Sequence, residues 1–321
     1  MSDLLWQLDE VQLPGEIGPR LTVERLDIET GRTAVIGASG AGKTSLLNLL
    51  VEFERNNTGR IERFFDGDTQ RLPIFWVPTH GGLWPHVSAR DHLSAVAEPS
   101  CGPRQVESLL QSFDLADRAD ARPGELSAGE QSRLSVARAL AVGATVLVMD
   151  EPFVHVDPAR LAGYWKQLDA ECQRHGTSLV FSTHSPEPVL RHADIVVCLA
   201  GGGVVGSGPV EELYLRSPTR VVAECLGPVN WFDASEAADW LGVSFQQPLG
   251  LRAEQLRVTR SETGTGTVVD SQRIGPVRET RVRLLTSHLE RTLRHLASDG
   301  PLAAGHQVVL EQVDPGPPTT A

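Results

Sequence analysis

The chain has 321 residues, of which 22% are charged and 40% hydrophobic, and carries a formal net charge of -12. That length accommodates one large domain and a smaller one, and the acidic balance disfavours non-specific binding to nucleic acid or anionic lipid, both of which need a positive field. Four cysteines, Cys101, Cys172, Cys198 and Cys225, stand far apart without C-x-x-C spacing, so neither a zinc site nor a disulfide scaffold is expected.

From the start, MSDLLWQLDE lacks the basic opening and long apolar core of a secretion signal, and no apolar run approaches the ~18 residues that would span a bilayer; a cytosolic protein is expected. LLWQLDEVQL and LTVERLDIE predict half-buried strands, the second passing through TGR into the short apolar strand TAVIG. That strand runs into GASGAGKTS, residues 37–45, and SLLNLLVEF continues as a helix. GASGAGKTS fits G-x-x-x-x-G-K-[ST], in which glycines let consecutive backbone N–H groups turn around an anion while a lysine reaches the terminal phosphates. Lysine occurs only at Lys43 and Lys166, so a chance match is of order a few in a thousand, and the strand–loop–helix order is the context the motif requires. The blander alternative is an ordinary glycine-rich turn.

Residues 86–143 predict a mostly helical segment with a break at ARPGE. Within it, Ser127 and Glu130 form S-x-x-E ahead of a periodic apolar run, a capping box. Ala128 and Gly129 leave that helix start bare, so its free N–H groups and the Ser127 hydroxyl could meet a phosphate. ATVLVMDEP, TSLVFSTH and ADIVVCLAG are continuous apolar runs that fit strands covered on both faces, hence an α/β fold with a mainly parallel sheet and flanking helices. Asp150 and Glu151 end one of these strands, where ligands sit in open α/β sheets. There Asp150 can hold Mg²⁺ beside the Thr44 hydroxyl, and Glu151 can orient and deprotonate the water attacking a γ-phosphate. Beyond residue 228, PLGLRAEQLRVTR, GTVVDSQRIGPVRETRVRLLT and HQVVLEQVD predict the short strands of a small barrel-like β-domain, and DPGPPTTA predicts a disordered tail at 314–321.

The glycine loop, LSAGE followed by QSRLSVARAL, VLVMDEPF, Asp157, and His184 in FSTH, in that order, resemble the nucleotide-binding subunit of ABC transporters over residues 1 to about 228. The resemblance implies a homodimer in which ATP lies between Gly37, Ala38, Ser39, Gly40, Ala41, Gly42, Lys43, Thr44 and Ser45 of one subunit and Ser127, Gly129 and Glu130 of the other. It implies that Thr44 and Asp150 serve the Mg²⁺, that Glu151 and His184 are catalytic, His184 contacting the γ-phosphate, and that Asp157 links the two sites. LAGGGVVGSGPVEELYLRSPTRVVAECLGPVNWF and LGLRAEQLRV look like the exit from the cassette and the start of the OB-like regulatory domain (229–313) of bacterial importer ATPases. Members with such an extension power uptake of sugars, polyamines, iron or oxyanions. The expected partners are transmembrane permease subunits and an extracytoplasmic solute-binding protein, with no nucleic acid, and the expected place is the cytoplasmic side of the inner membrane.

The sequence departs from that family at several points. Thr79 stands where a glutamine usually touches Mg²⁺ and the attacking water; Thr79 or His80 acts through an intervening water, or the loop is simply built differently, and both readings stand. No Tyr or Phe occurs in VQLPGEIGPR, where an aromatic often stacks on adenine, so base binding is weaker or borrowed from Trp6. Val154, His155 and Val156 replace the usual Ser-Ala-Leu before Asp157. A soluble ABC ATPase of DNA repair or translation is the first alternative, against which stand the acidic charge and the lack of coiled-coil insertions. A regulatory module that has lost catalysis is the second, against which stand Lys43, Thr44, Asp150, Glu151 and His184.

Overall fold

A computed structural model describes residues 3–313 apart from 17, 57, 67–70, 99–101, 245 and 298–299. Both the 314–321 tail and Cys101 lie outside the described residues. Two compact units result, Met1–Val210 and Glu211–Ala321.

In the first unit the strands are β1 (Leu4–Pro14), β2 (Pro19–Glu29), β3 (Arg32–Ile36), β4 (Thr58–Arg63), β5 (Ile74–Val77), β6 (Val146–Asp150), β7 (Ser178–Thr183), β8 (Ile195–Ala200) and β9 (Gly203–Pro209). They form one sheet in the order β4-β1-β2-β9-β8-β3-β7-β6-β5. Its two halves follow from two kinds of sequence. β6 and β7 are buried at every position, and β3, β5, β6, β7 and β8 run parallel; only continuous apolar runs suit strands covered on both faces. β1 and β2 alternate, burying Leu8, Val11, Leu21 and Val23, and pair antiparallel as a hairpin flanked by antiparallel β4. The sheet is therefore parallel through its centre and antiparallel on the β1 side.

The helices of this unit are α1 (Lys43–Leu50), α2 (Ala89–Ser94), α3 (Pro103–Ser112), α4 (Ala128–Val142), α5 (Pro158–His175) and α6 (Pro186–His192); α1, α4 and α6 pack on the strands, and α2 and α3 pack on α4. The helical content expected between 86 and 143 is present as α2, α3 and α4, with short 3₁₀ turns at Ala116–Arg118 and Pro123–Glu125 where ARPGE interrupts it. Local chemistry sets the ends. Ser127 caps α4 and Gly143 closes it in the left-handed region; Asp157 with Pro158 starts α5.

The second unit holds α7 (Val210–Leu215), α8 (Arg220–Cys225), β10 (Asn230–Phe232), α9 (Ala234–Leu241), β11 (Leu249–Leu251), β12 (Leu256–Arg260), β13 (Gly266–Ile274), β14 (Val277–Leu284), β15 (Glu290–Leu296) and β16 (Gln307–Gln312). Its main sheet is antiparallel, β12-β16-β13-β14-β15, around a core that includes Phe232, Trp240, Val258, Val282 and Leu310. The units divide before residue 228, and Arg252 supplies the reason. Its buried guanidinium donates to the carbonyls of Tyr214, Ala223, Gly227 and Pro228, and sits 4.3 Å from the Tyr214 ring centroid. A buried cation needs such partners, and supplying them commits residues 214–228 to the second unit.

Among the described residues no helix is long and apolar enough to cross a membrane. Cys172 and Cys198 are buried and Cys225 partly so.

Candidate functional site

The glycine loop leaves the C-terminal end of β3 and turns into α1 at Gly42, whose φ of 103° places it in the left-handed region. A Cβ there would also press on the Leu21 side chain at 3.2 Å, so both backbone and packing favour glycine. Lys43 is buried, its Nζ donating to the carbonyls of Gly37 at 2.9 Å and Ala38 at 3.1 Å. The same ammonium lies 3.8 Å from Glu151 Oε1. The loop and Lys43 thus form one concavity at the C-terminal end of the central strands, the arrangement a polyphosphate requires.

Asp150 ends β6 almost fully buried and is held by three hydroxyls. Thr44 Oγ1 donates to Oδ2 at 2.7 Å, Thr79 Oγ1 donates to the same oxygen at 2.6 Å, and Ser182 Oγ donates to Oδ1. Ser182 also accepts from Glu151 N at 3.0 Å, fixing both acidic residues from the neighbouring strand. Sequence reasoning missed Ser182, although a serine in the buried run SLVFST was the available signal: a buried hydroxyl needs a partner.

Glu151 has φ of 51° and Phe153 has φ of 66°, an uncommon geometry for non-glycine residues that the surroundings must enforce. Phe153 is buried between Trp165, Tyr164 and Phe113, with ring centroids 5.4 to 6.3 Å apart, and so anchors the turn. His184 Nδ1 lies 3.1 Å from Glu151 Oε1. His184 is 56% exposed and Glu151 20%, so the pair faces outward from a buried base.

Ser127 and Glu130 form the expected reciprocal cap. Ser127 Oγ accepts from Glu130 N at 3.2 Å and donates to Glu130 Oε2 at 2.8 Å, while Ser127 N donates to that oxygen at 2.8 Å. The Ser127 backbone N–H, then its hydroxyl, hold the Glu130 carboxyl below the usual carboxylate range, so it is ionised at neutral pH. Arg118 approaches it at 3.6 Å. Gly129 lies against the turn before α5, since a Cβ on it would meet His155 O at 2.8 Å. Asp157 accepts from Ala159 N at 2.9 Å as the N-cap of α5.

A cavity of about 160 Å³ opens between the ends of β5 and β6 and the first turns of α4, with Thr79, Asp150, Glu151, Gln131 and Ser132 in its walls. Trp6 does not serve as a base platform: it is 1% exposed in the core and meets Phe65 edge-on at 4.9 Å. Trp6 pairs with Ile28 and lies two residues from Leu8, which pairs with Leu26, so the alternation of β1 puts the indole on the same buried face as Leu8.

The donor set suits a hard cation. Thr44 and Asp150 offer oxygen only, and among the described residues no cluster of three His, Cys, Asp or Glu could cage a metal. Mg²⁺ is commonly held by one or two protein oxygens together with substrate phosphates, not by an all-protein cage, so these residues fit it.

A family profile described as ABC transporter matches residues 23–154. The spermidine/putrescine import ATP-binding protein PotA 1 of Pseudomonas aeruginosa is 30% identical over 85% of this chain and 85% of its own length. The molybdenum import ATP-binding protein ModC of Methylococcus capsulatus is 32% identical over 60% of this chain, and the Fe(3+) ions import ATP-binding protein FbpC of Yersinia pestis is 31% identical over 64%. Those alignments span 58% and 63% of the two relatives, less than two thirds of their length. In fold, a solved ATP-binding subunit of an ABC transporter aligns at TM-score 0.57 with 22% identity, covering 65% of this chain and 91% of that one. A dimeric post-hydrolysis ATP-binding cassette bound to ADP and Pi aligns at 0.54 with 21% identity, covering 64% and 99%. With the glycine loop, the buried Asp150 and the Glu151–His184 pair converging at one end of such a sheet, the chain belongs to the ATP-binding subunits of ABC transporters.

Proposed function

We propose that two copies of this chain close on ATP and Mg²⁺, hydrolyse the nucleotide, and so drive import of a small solute through a separate membrane permease. The observation that carries this reading is the convergence of Lys43, Thr44, Asp150, Glu151 and His184 at the C-terminal ends of β3, β6 and β7. Neither the glycine loop nor the Ser127 helix tip surrounds a γ-phosphate alone, and a twofold dimer supplies each copy with the missing half. ATP would lie between residues 37–45 of one copy and Ser127, Gly129 and Glu130 of the other, with Asp157 near the line between the two sites.

In the reaction, backbone N–H groups of residues 38–44 and the Lys43 ammonium receive the phosphates. Thr44 and Asp150 would hold Mg²⁺, whose chemistry there is neutralisation of β- and γ-phosphate charge. Glu151 accepts a proton from water as its oxygen attacks the γ-phosphorus and the bond to the bridging oxygen of ADP breaks. His184, beside Glu151, contacts the γ-phosphate and reports its presence. Import is supported by the similarity to the polyamine, molybdenum and iron import proteins, and a peripheral place on the cytoplasmic face, beside a permease and a solute-binding protein, goes with it. The C-terminal unit would then regulate.

The test is steady-state phosphate release by the purified chain and by Glu151→Gln. Turnover in the wild type, with nucleotide binding but no turnover in the variant, is the expected result. An equal rate from both would remove Glu151 from the chemistry and with it this reading.

A further inference from the structure

We infer that Arg138, on α4, is a positioning residue that holds Thr79 on Asp150. This rests on the reading of Asp150 as the metal-side carboxylate. Arg138 is 4% exposed. Its Nη1 donates to Gly82 O at 2.8 Å and its Nη2 to Gly81 O at 2.8 Å. The guanidinium carbon lies 5.3 Å from the Trp84 ring centroid and 5.6 Å from that of Phe75. No carboxylate is paired with it among the described salt bridges. A buried cation held only by carbonyls and aromatic faces is an expensive way to fill space, and a leucine would pack there at lower cost. What the guanidinium provides that a leucine cannot is a two-pronged grip on consecutive carbonyls.

Those carbonyls belong to the turn that places Thr79. Gly81 N donates to Pro78 O at 2.7 Å, closing a turn around Thr79 and His80. Gly81 and Gly82 have φ of 69° and 58°. A Cβ on Gly81 would fall 2.1 Å from Ser135 Oγ, also on α4, so the turn is pressed against the helix and gripped by it in adjacent places. Two residues upstream of Gly81, the Thr79 hydroxyl reaches Asp150 Oδ2 at 2.6 Å, sharing that oxygen with Thr44. Threonine is too short to reach far by itself, so its hydroxyl stays on Asp150 only while the turn stays on α4. The helix that holds the turn begins at Ser127, 11 residues before Arg138, about 16 Å along a rigid rod. The hydroxyl that orients the metal-side carboxylate is therefore referenced to the same helix that presents the signature serine.

The experiment measures ATP affinity by calorimetry with and without Mg²⁺, and takes the ratio as the readout, alongside thermal unfolding. Thr79→Ala removes one hydroxyl from an ionised acceptor, and the Mg²⁺ enhancement is expected to fall about tenfold. Arg138→Lys, which reaches one carbonyl at most, is expected to lower it several-fold. The double variant should be no worse than Thr79→Ala alone, because Arg138 acts through Thr79. Gly81→Ala moves the turn while keeping Arg138, and should lower the ratio as Arg138→Lys does, which covers the case in which an Arg138 variant fails to fold. Arg71→Lys is the control: Arg71 likewise donates to carbonyls, those of Gly143, Ala144 and His175, away from Thr79. It should lower the unfolding temperature and leave the ratio unchanged. Losses that multiply in the double variant, or Arg138→Lys and Gly81→Ala that shift only the unfolding temperature, would overturn the inference. Asp150→Asn separates this from the larger reading: if it leaves the ratio intact, the metal-side assignment itself fails.

Discussion

The two proposed half-sites of this chain are built in opposite ways. Around Lys43 and Asp150, every charged or hydroxyl group is held from below by buried structure: carbonyls hold the ammonium, and three hydroxyls hold the carboxylate. Around Ser127, the exposed serine and the partly buried Glu130 satisfy each other, with the serine hydroxyl donating to Glu130 of the same helix turn. A site held by the core keeps its geometry at no reorganisation cost when substrate arrives, whereas a self-satisfied one must exchange an internal bond for a new one. The glycine-loop half should therefore set the chemistry and the Ser127 half should set how readily two copies close.

The sharpest way to break that comparison is Glu151→Gln. General-base catalysis contributes typically ~10²–10⁴-fold, so phosphate release should fall by at least about a hundredfold while equilibrium binding of ATP, measured by calorimetry, stays within a few-fold. If binding falls in step with turnover, the half-site is not held independently of its catalytic group. Ser182→Ala comes next. It strips Asp150 Oδ1 and Glu151 N of a shared buried partner, which costs on the order of 1–3 kcal/mol. A lower midpoint in denaturant together with reduced turnover is expected; a stable variant of undiminished activity would show that the strands place both acids without help.

Glu130→Gln probes the other half. Glutamine can still accept from Ser127 N, so the cap survives, but the negative charge is gone. Because the Glu130 carboxylate is ionised, and on the proposed reading a second copy brings phosphate to it, ATP-dependent dimerisation followed by light scattering should tighten several-fold. The gain should shrink at high salt, since exposed charges are screened. No change in dimerisation would mean that Arg118 already neutralises the carboxylate.

How far these halves could be read from sequence follows the same division. Contiguous motifs were legible: GASGAGKTS, VLVMDE and FSTH each specify their own local geometry, and the apolar runs specified the parallel centre of the sheet. What joins distant segments was not. Ser182 was hidden inside an apolar strand because its partners, Asp150 and Glu151, are 32 and 31 residues away. Arg138 looked like one more arginine in a helical run, since the carbonyls it holds lie 56 and 57 residues earlier. Helix α9 carried its own signals, Asp233 and Glu236 as a capping box and Gly242 at its end, yet it sat inside a stretch read by its short strands, and Trp6 looked available to a base because Phe65, which meets its ring, comes from a later segment. Residue 228 marked a motif ending, while the compact units part where Arg252 draws its carbonyls.

The smallest effect concerns His92, at the foot of the turn that carries Trp84. The ring is buried, stacks on Trp84 with centroids 5.2 Å apart, accepts from Trp84 N at Nε2 at 2.8 Å, and has Nδ1 2.7 Å from Ser88 O. Donation from Nδ1 to the carbonyl leaves Nε2 as the acceptor, so the neutral tautomer fits both neighbours and the imidazolium fits only one. Desolvation first, offset in part by the Ser88 carbonyl and reinforced by the Arg138 charge, holds its pKa below the ordinary histidine value. The unfolded ring binds its proton more readily than the folded one, so this contribution to stability is complete above a pH of about 6.5 and declines as pH falls below it. Unfolding temperatures recorded from pH 7.5 down to 5 should drop more steeply for the wild type than for His92→Gln, which cannot titrate. Parallel curves for the two proteins would show that the turn tolerates a protonated ring.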